Sequence, residues 1–419
     1  MASALPVEAA ESSIQPAVGK LRRPAVLQVL PALVTGGVER GTVDIAAALV
    51  QSGWTAIVAS AGGPMVREVE RAGATHVTLS LESKNPLSIH ANIGRLARII
   101  GELEVDIVHA RSRAPAWSAY YAARRTGRRF VTTFHSPYTL GFPGKRWYNQ
   151  IMARGERVIA ISHFVADHVL ANYKVDPERL RVVPRGVDID SFDTARVYPG
   201  RIIQLAEAWR LPDGVPVVML PGRLTRWKGH TVLIDALARL HRKQPGRLLR
   251  CIFVGSDQGR TGYRRELEER ARRNGLADTL QIVDDCRDMP AAYMLADVVV
   301  SASTDPEGFG RVAIEAQAMG KPVIATNHGA ARETVIDGST GLLTRPGDPD
   351  ALADALERML ALSTAEREAL AARAIDNVRR GFTKQQMCER TLAIYHELLD
   401  YRDLVELPVG TASGHPGDQ

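Results

Sequence analysis

The sequence predicts an α/β protein made of two doubly wound domains, each with a parallel sheet covered by helices on both faces. Short apolar runs alternate with longer helical patterns, which is typical of this class. The runs are continuously apolar, as in strands buried on both faces. The alternation also restarts after residue 214. The length of 419 residues agrees with two cores, because one core rarely grows past about 250–300 residues.

Five predicted strands make up the first series. They are rich in Val, Ile and Thr, which favours extended structure. Between them lie helical patterns, of which 42–51 and 89–104 are the clearest. The strands read AVLQVLPAL (25–33), TAIVASA (55–61), DIVHA (106–110), FVTTFH (130–135) and RVIAIS (157–162).

The second series repeats the pattern with five more strands and ends with a helix over 384–402. The pattern breaks near 190–214, so we place the domains at 24–195 and 196–383. Residues 1–23 and 403–419 are predicted to be a disordered leader and a disordered tail. The strands read VPVVMLPG (215–222), LRCIFVGS (249–256), LQIVDD (280–285), ADVVVSAS (296–303) and KPVIAT (321–326), with helices at 229–243, 263–274, 312–319 and 349–361.

Charge and composition restrict the function classes. The net charge is +6, but residues 1–200 carry +7 and the remainder −1. A basic first half favours an anionic partner, such as a phosphorylated substrate, a lipid surface or nucleic acid, although solvated Arg-rich helices explain it as well. The three cysteines lie far apart in sequence, which argues against a disulfide scaffold or a Cys-based zinc site and favours a reducing compartment. The sequence contains no apolar run of about 18 residues, so no membrane-spanning helix is predicted.

Candidate ligand-binding residues follow the strands, where open parallel sheets bind ligands. Gly36 and Gly37 follow the first strand and allow close approach of the backbone to a ligand, although such a pair is often only a turn. His109 and His135 each lie at the end of a strand. They are either ligand-binding residues or structural residues whose ring nitrogens are hydrogen-bonded within the protein. The dinucleotide pattern GxGxxG is absent, and the His spacing fits no metal motif.

Two cations mark the first turn of the second series. Arg223 and Lys228 lie in PGRLTRWKG, between a strand and the next helix, where a diphosphate would meet both charges. A basic surface turn is the alternative interpretation. The Walker pattern GxxxxGK[ST] is absent, so an ATPase has no support.

A glycine-rich loop with two glutamates follows the strand 296–303. Glu307 lies in the loop, and Glu315 lies inside a helix that is predicted to begin near Gly310. Free N–H groups at that helix start suit a phosphate. A carboxylate one to two turns further in suits the paired hydroxyls of a ribose, and Glu307 could reach a second polyol. The small apolar neighbours of Glu315 disfavour simple solvent exposure.

These segments resemble the retaining glycosyltransferases of family 4, also called group 1 glycosyl transferases. The resemblance covers about residues 25–400 and rests on PGRLTRWKGHTVLIDALARL, DPEGFGRVAIEAQAMGKPVIATNHGAARETVIDGSTGLL, VIAISHFVADHV and VVPRGVDIDSF. The segment FGRVAIEAQAMG further resembles a lipopolysaccharide-core mannosyltransferase-like subgroup of Gram-negative bacteria.

The resemblance implies the GT-B fold, in which two Rossmann-like domains face each other across a cleft and the last helix crosses back to the N-terminal domain. It implies an N-terminal acceptor domain and a C-terminal nucleotide-sugar domain. Carried over by position, His135, Glu307, Arg223 and Lys228 are the catalytic candidates. The donor-binding candidates are Gly36, Gly37, Arg223, Lys228, Glu307, Phe309, Gly310, Arg311 and Glu315.

The implied reaction is transfer of a hexose, with mannose as first candidate, from a nucleotide diphosphate sugar to a lipid-linked, lipopolysaccharide or polysaccharide acceptor. No metal and no cofactor are expected, because cations and a helix start would stabilise the leaving diphosphate. His109 and Tyr138 are candidate acceptor contacts. Arg185 departs from the family, which usually has Asn in this turn. Another GT-B enzyme (an epimerase or a phosphorylase) and an inactive sugar-nucleotide-binding module are the alternatives.

Cations and aromatic residues alternate in 124–129 and 138–148. This composition favours contact with an anionic membrane surface or a phosphorylated lipid-linked glycan, and solvated helices with aromatic acceptor contacts are the alternative. We expect a cytoplasmic protein that associates with the inner face of the cytoplasmic membrane. Nucleic acid is not expected as a partner, because no nucleic-acid motif accompanies the charge.

Overall fold

The computed structural model describes residues 22–34 and 36–399. The predicted tail therefore lies outside the described residues, and so does the predicted leader except for its last two residues. One of these, Arg22, forms an ion pair with Asp106 and is part of the first folded unit. Arg22 and Arg23, which the sequence analysis placed in the leader, thus lie within the described residues.

The first unit is a sheet of seven parallel strands in the order β3-β2-β1-β4-β5-β6-β7. Its core strands are apolar on both faces because helices pack on both sides. The elements are β1 Ala25–Val29, α1 Gly37–Gln51, β2 Thr55–Ser60, α2 Val66–Arg71, β3 Thr75–Thr78, α3 Pro86–Glu102, β4 Ile107–Ala110, α4 Arg113–Thr126, β5 Arg129–Phe134, α5 Pro143–Asn149, β6 Arg157–Ala160, α6 His163–Asn172 and β7 Leu180–Val182.

The second unit has six parallel strands in the order β10-β9-β8-β11-β12-β13. Its elements are α7 Pro199–Ala208, β8 Val217–Pro221, α8 His230–Lys243, β9 Arg250–Val254, α9 Thr261–Arg273, β10 Leu280–Val283, α10 Met289–Leu295, β11 Val298–Ser301, α11 Arg311–Ala318, β12 Val323–Thr326, α12 Ala331–Thr334, β13 Leu342–Thr344, α13 Pro349–Leu360, α14 Thr364–Gly381 and α15 Lys384–His396. Together the two sheets confirm the predicted α/β class.

The sequence prediction missed three strands at sheet edges. β3, β7 and β13 have four, three and three residues. β3 reads THVT and is only partly buried, so no continuous apolar run marks it. The helix predicted at 42–51 begins earlier, at Gly37, because the Gly-Gly turn itself forms its first residues. Edge strands and helix starts are where periodicity carries the least signal.

The last helix, α15, returns to the first unit. Thr383 and Gln386 form a capping box at its start, and the Lys384 N–H donates to the carbonyl of Val187, just beyond β7. Further along, the Tyr395 hydroxyl lies 2.6 Å from Nδ1 of His109 in β4. The helix ends at His396, earlier than the predicted 402, and residues from 400 onward lie outside the described part. Only a folded chain brings these distant segments together.

Candidate active site

The carboxyl edges of the two sheets face each other. Gly308, in the loop after β11, lies so close to the turn after β5 that an added Cβ would be 2.9 Å from the His135 carbonyl oxygen. The Ser162 hydroxyl, which follows β6, donates to the Gly308 carbonyl at 2.7 Å. Phe309 packs into the core of the first unit, against Phe382. The loop with Glu307 is therefore held against the turn with His135.

Lys228 and Glu307 form an ion pair in this region. The Nζ–Oε1 distance is 2.7 Å, and the side chains are only 13% and 14% exposed. The same carboxylate accepts hydrogen bonds from Ser303 and from Ser301. Burial would raise the pKa of Glu307, but the Lys228 charge and these hydrogen bonds hold it below its ordinary value of 4.5. Glu307 is thus a carboxylate at neutral pH.

A glycine explains why Lys228 meets this carboxylate. Gly229 adopts a left-handed conformation at φ 73°, and a Cβ there would lie 1.8 Å from the Ala302 carbonyl oxygen. The turn is therefore packed directly on the segment after β11, and the Thr304 N–H donates to the Trp227 carbonyl at 2.7 Å. The close backbone approach carries Lys228 to Glu307.

The other cations of this turn differ in their partners. Arg226 is bound by Glu266, with N–O distances of 2.7 and 2.6 Å. Arg223 is exposed and forms no ion pair within the part of the chain that the structure describes. Of the two arginines, Arg223 is therefore the one whose charge is not paired with a carboxylate among the described residues.

Glu315 lies on α11 and is only 8% exposed. Its Oε1 is 2.6 Å from Nη2 of Arg311, one turn earlier, and its Oε2 accepts a hydrogen bond from the Tyr293 hydroxyl at 3.0 Å. The carboxylate raises the pKa of Arg311. Burial, with the neighbouring Glu315 charge, raises the pKa of Tyr293 well above its ordinary value, so the phenol stays a donor. Gly310 begins this helix in a left-handed conformation at φ 81°.

His135 has a ring nitrogen without a partner. Its Nε2 is buried and makes no hydrogen bond to any described residue. Burial, reinforced by the charges of Arg111 and Arg185, holds the pKa of His135 well below its ordinary value of 6.5. The imidazole is therefore neutral at pH 7. A buried polar group without a hydrogen-bond partner costs about 1–3 kcal/mol, and a ligand that binds Nε2 would remove this cost.

Gly36 and Gly37 begin α1 at the same edge. The Gly37 carbonyl accepts a hydrogen bond from Arg185, and an added Cβ at Gly37 would lie 3.7 Å from Cδ of Arg311 in the second unit. Burial, together with the charges of Arg111 and Arg311, lowers the pKa of Arg185 to about 9. Arg185, at the position where the family usually has Asn, thus holds the Gly-Gly turn.

Both candidate acceptor residues, His109 and Tyr138, are buried. His109 is fully buried, and its ring nitrogens are bound to Tyr395 and to Thr133, the latter at 2.7 Å. The structure does not bring it to the cleft, because the strand end on which it lies is covered by α15. Tyr138 follows the turn with His135 and carries Arg113 over its ring at 4.3 Å.

Several residues of this region escaped the sequence analysis. Ser303 and Ser301 end the strand ADVVVSAS, so their place beside Glu307 could have been read from the strand end. Tyr293 lies 22 positions before Glu315, in α10, and no local pattern marks it. Glu333 lies in a segment that carries the family resemblance, but no role was predicted for it. Both its carboxylate oxygens accept hydrogen bonds from N–H groups of α6 in the first unit.

Comparison with known proteins identifies the family. The profile "Glycosyltransferase Family 4" matches residues 35–191, and "Glycosyl transferases group 1" matches residues 202–379. A solved glycosyltransferase from Rickettsia africae is 39% identical with a TM-score of 0.84, covering 90% of this chain and 99% of that one. The chain belongs to the group 1, family 4 glycosyltransferases.

This glycosyltransferase is also similar to two further proteins. Anabaena HepE, solved in complex with UDP and glucose, is 25% identical with a TM-score of 0.78, covering 90% of this chain and all of that one. The D-inositol 3-phosphate glycosyltransferase of Actinosynnema mirum is 35% identical over 257 residues, and the match spans only 60% of either chain. The structural neighbours confirm the GT-B fold, whereas the lipopolysaccharide-core subgroup stays a prediction.

A metal-binding cluster and a membrane-spanning helix are both absent from the part of this glycosyltransferase that the structure describes. Within 22–34 and 36–399, no group of three or more His, Cys, Asp or Glu side chains is placed to hold a metal ion. None of the helices in that part of the chain is both long and apolar enough to cross a membrane.

Proposed function

We propose that this chain is a retaining hexosyltransferase. It takes the sugar from a nucleotide diphosphate hexose, with GDP-mannose as first candidate and a UDP-sugar as second, and passes it to a lipid-linked, lipopolysaccharide or polysaccharide acceptor. The second unit, 196–383, holds the donor, and the first unit, 24–195 with 384–402, holds the acceptor. The solved complex of HepE with UDP and glucose supports a nucleotide-sugar donor.

The buried Lys228–Glu307 pair opposite His135 carries the proposal. Without a donor, each charge satisfies the other at 2.7 Å. A diphosphate next to Arg223 gives Lys228 a new anionic partner, and Glu307 is then free to accept hydrogen bonds from the hydroxyls of the sugar. Donor binding thus exchanges one ion pair for another without exposing a charge.

The reaction breaks the bond between the anomeric carbon and the β-phosphate oxygen. Negative charge develops on the departing diphosphate, where Lys228, Arg223 and the N–H groups of Phe309, Gly310 and Arg311 stabilise it. Positive charge develops on the sugar ring, beside the Glu307 carboxylate and the neutral His135. The acceptor hydroxyl attacks the same face, forms the new C–O bond and gives its proton to the leaving phosphate.

Glu315 serves the nucleoside in this proposal. Its two oxygens, now bound to Arg311 and Tyr293, are spaced for the two hydroxyls of a ribose. Arg311 moves toward the phosphates or the Gly36–Gly37 turn when the ribose displaces it. No metal and no cofactor take part.

A phosphorylated polyol is a second acceptor candidate. The Actinosynnema relative is named for an inositol phosphate acceptor. In this chain Arg111 and Arg185, which are 3% and 6% exposed, lie near His135 and form no ion pair within the described residues, although the charge of Asp44 acts on both. Buried cations of this kind favour an acceptor that carries negative charge.

A donor panel tests the proposal. Binding of GDP-mannose, UDP-glucose or ADP-glucose to the native chain raises its melting temperature by mass action, and the selective donor is then assayed for release of its nucleoside diphosphate with candidate acceptors. Binding without release in any acceptor mixture identifies the inactive module. An epimerised or phosphorolysed sugar identifies the other GT-B enzymes, and no donor binding at all contradicts the proposal.

Association with the inner face of the cytoplasmic membrane stays a prediction. The structure separates the two segments on which it depends, because α4 runs from the carboxyl edge of the sheet to the amino edge. At the amino edge, Arg128 and Arg129 are paired with Asp106 and Glu156. Segment 138–148 lies at the carboxyl edge, beside the cleft.

A further inference from the structure

Three aromatic side chains form a stack beside the cleft. Trp117 on α4 lies between Trp147 and Tyr148 on α5, with ring centroids 4.8 and 6.0 Å apart and interplanar angles of 34° and 29°. Trp147, at the end of this aromatic stack, is 67% exposed. One side of its indole is packed and the remainder faces solvent, so a flat apolar surface is presented on a rigid support.

The aromatic stack is joined to the proposed site of transfer. The turn with His135 continues through Tyr138 into α5, and the Arg113 side chain links the two segments. It lies over the Tyr138 ring and donates to Asn149 at 3.0 Å, next to Tyr148. An acceptor whose hydroxyl reaches His135 can therefore extend along this edge toward Trp147.

Unpaired cations surround the aromatic stack. Lys84 lies 6.0 Å from the Tyr148 ring centroid. Lys84, Lys145 and Arg146 are exposed and form no ion pair within the described residues. The surface thus combines a flat apolar platform with positive charge.

Two buried polar atoms of the aromatic stack also lack partners. Nε1 of Trp117 and the hydroxyl of Tyr148 make no hydrogen bond to any described residue. Both atoms are enclosed by protein, so they make no contact of their own with solvent, and the exposed residue of the aromatic stack is Trp147.

We propose that the aromatic stack is an acceptor subsite for a pyranose ring of an anionic glycan, one that bears carboxylate or phosphate groups. The C–H face of the pyranose packs on the exposed indole of Trp147, as apolar surface does. Its negative charges meet Lys145, Arg146 and Lys84. The inference rests on the proposed function for its meaning as an acceptor site, but glycan binding itself is measured without any donor.

The test is calorimetric titration of the full chain with trigalacturonate, an anionic trisaccharide, and with neutral maltotriose. Trigalacturonate binds more tightly, and Trp147→Ala weakens its binding about tenfold or more, equivalent to about 1.4 kcal/mol. The double variant Lys145→Gln/Arg146→Gln weakens trigalacturonate binding and leaves maltotriose unchanged. Tyr198→Ala is the matched control, because Tyr198 is an aromatic residue that is 72% exposed just before α7 in the second unit, outside this surface. Phe142 is unsuitable as a control, because Lys145 lies 5.7 Å from its ring centroid.

Three results overturn the inference. They are no binding of trigalacturonate at concentrations up to about 10 mM, equal binding by the native chain and Trp147→Ala, and equal loss in Tyr198→Ala and Trp147→Ala. Flotation with phosphatidylglycerol vesicles that needs both Phe142 and Trp147, without glycan binding, assigns the surface to a membrane instead. Lys228→Ala should bind trigalacturonate normally, so failure of the transfer proposal is distinguishable from failure of this one.

Discussion

At the scale of single residues, Lys228 carries the largest expected share of donor chemistry. We expect Lys228→Ala to lower kcat by roughly 30- to 1000-fold, or about 2–4 kcal/mol of transition-state stabilisation, because the charge that develops on the diphosphate loses its buried partner. The measurement is steady-state turnover with the selective donor. Lys243→Ala is the control, since Lys243 pairs with Glu357 on the surface of the same unit. Unchanged turnover in Lys228→Ala would refute the role.

Tyr293 acts through Glu315 and is a positioning residue. Tyr293→Phe removes the hydrogen bond to Oε2 of Glu315, so we expect the KM for the donor to rise several-fold, about 1 kcal/mol, with kcat nearly unchanged. Tyr263→Phe is a matched control, because the Tyr263 hydroxyl is also buried but has no hydrogen-bond partner among the described residues. An equal change in both variants, or a fall in kcat alone, would argue against nucleoside positioning.

At the scale of elements, the turn between β8 and α8 depends on one glycine. Gly229→Ala places a methyl group 1.8 Å from the Ala302 carbonyl in a left-handed conformation, so the turn must move and Lys228 with it. We expect about 1–3 kcal/mol of lost unfolding free energy and a loss of turnover close to that of Lys228→Ala. Urea unfolding and steady-state rates measure the two effects.

Gly246→Ala is the control for that substitution, because nothing lies within 4 Å of an added Cβ at Gly246. A Gly229→Ala protein that is as stable and as active as the native chain would show that the turn tolerates displacement. The positioning of Lys228 would then depend on other contacts.

At the scale of the whole molecule, Glu333 joins the two units. Its Oε2 and Oε1 accept the N–H groups of His163 and Phe164 at 2.8 and 2.6 Å, and these groups begin α6. A carboxylate at a helix start is favoured by the free N–H groups and the helix dipole. Since Glu333 follows β12 in the second unit, this contact joins α6 of the first unit to the second unit.

We expect Glu333→Ala to shift the molecule toward a more open arrangement. Small-angle X-ray scattering should show a larger radius of gyration than for the native chain, and a bound nucleotide sugar should restore the compact value. Glu368→Ala is the control, because Glu368 is exposed on α14 within the second unit. An identical radius for both variants would mean that the apolar contacts around Phe309 are sufficient.

The sequence alone determined the α/β class, the two series of strands, the turn and loop that carry Lys228 and Glu307, and the helix that carries Glu315. These are local properties, because an apolar run and a strand-to-helix turn are written in adjacent residues. The edge strands β3, β7 and β13 were missed because they have only three or four residues, too few for a recognisable apolar run.

Only the tertiary structure decided which partners those residues have. Tyr293 meets Glu315, Arg185 holds Gly37, and Glu333 caps α6, across separations of 22, 148 and 169 or more positions. It also covered His109 with α15, where the sequence predicted an acceptor contact. Contacts of this kind depend on how two sheets face each other, and hydrophobic periodicity carries no information about that relation.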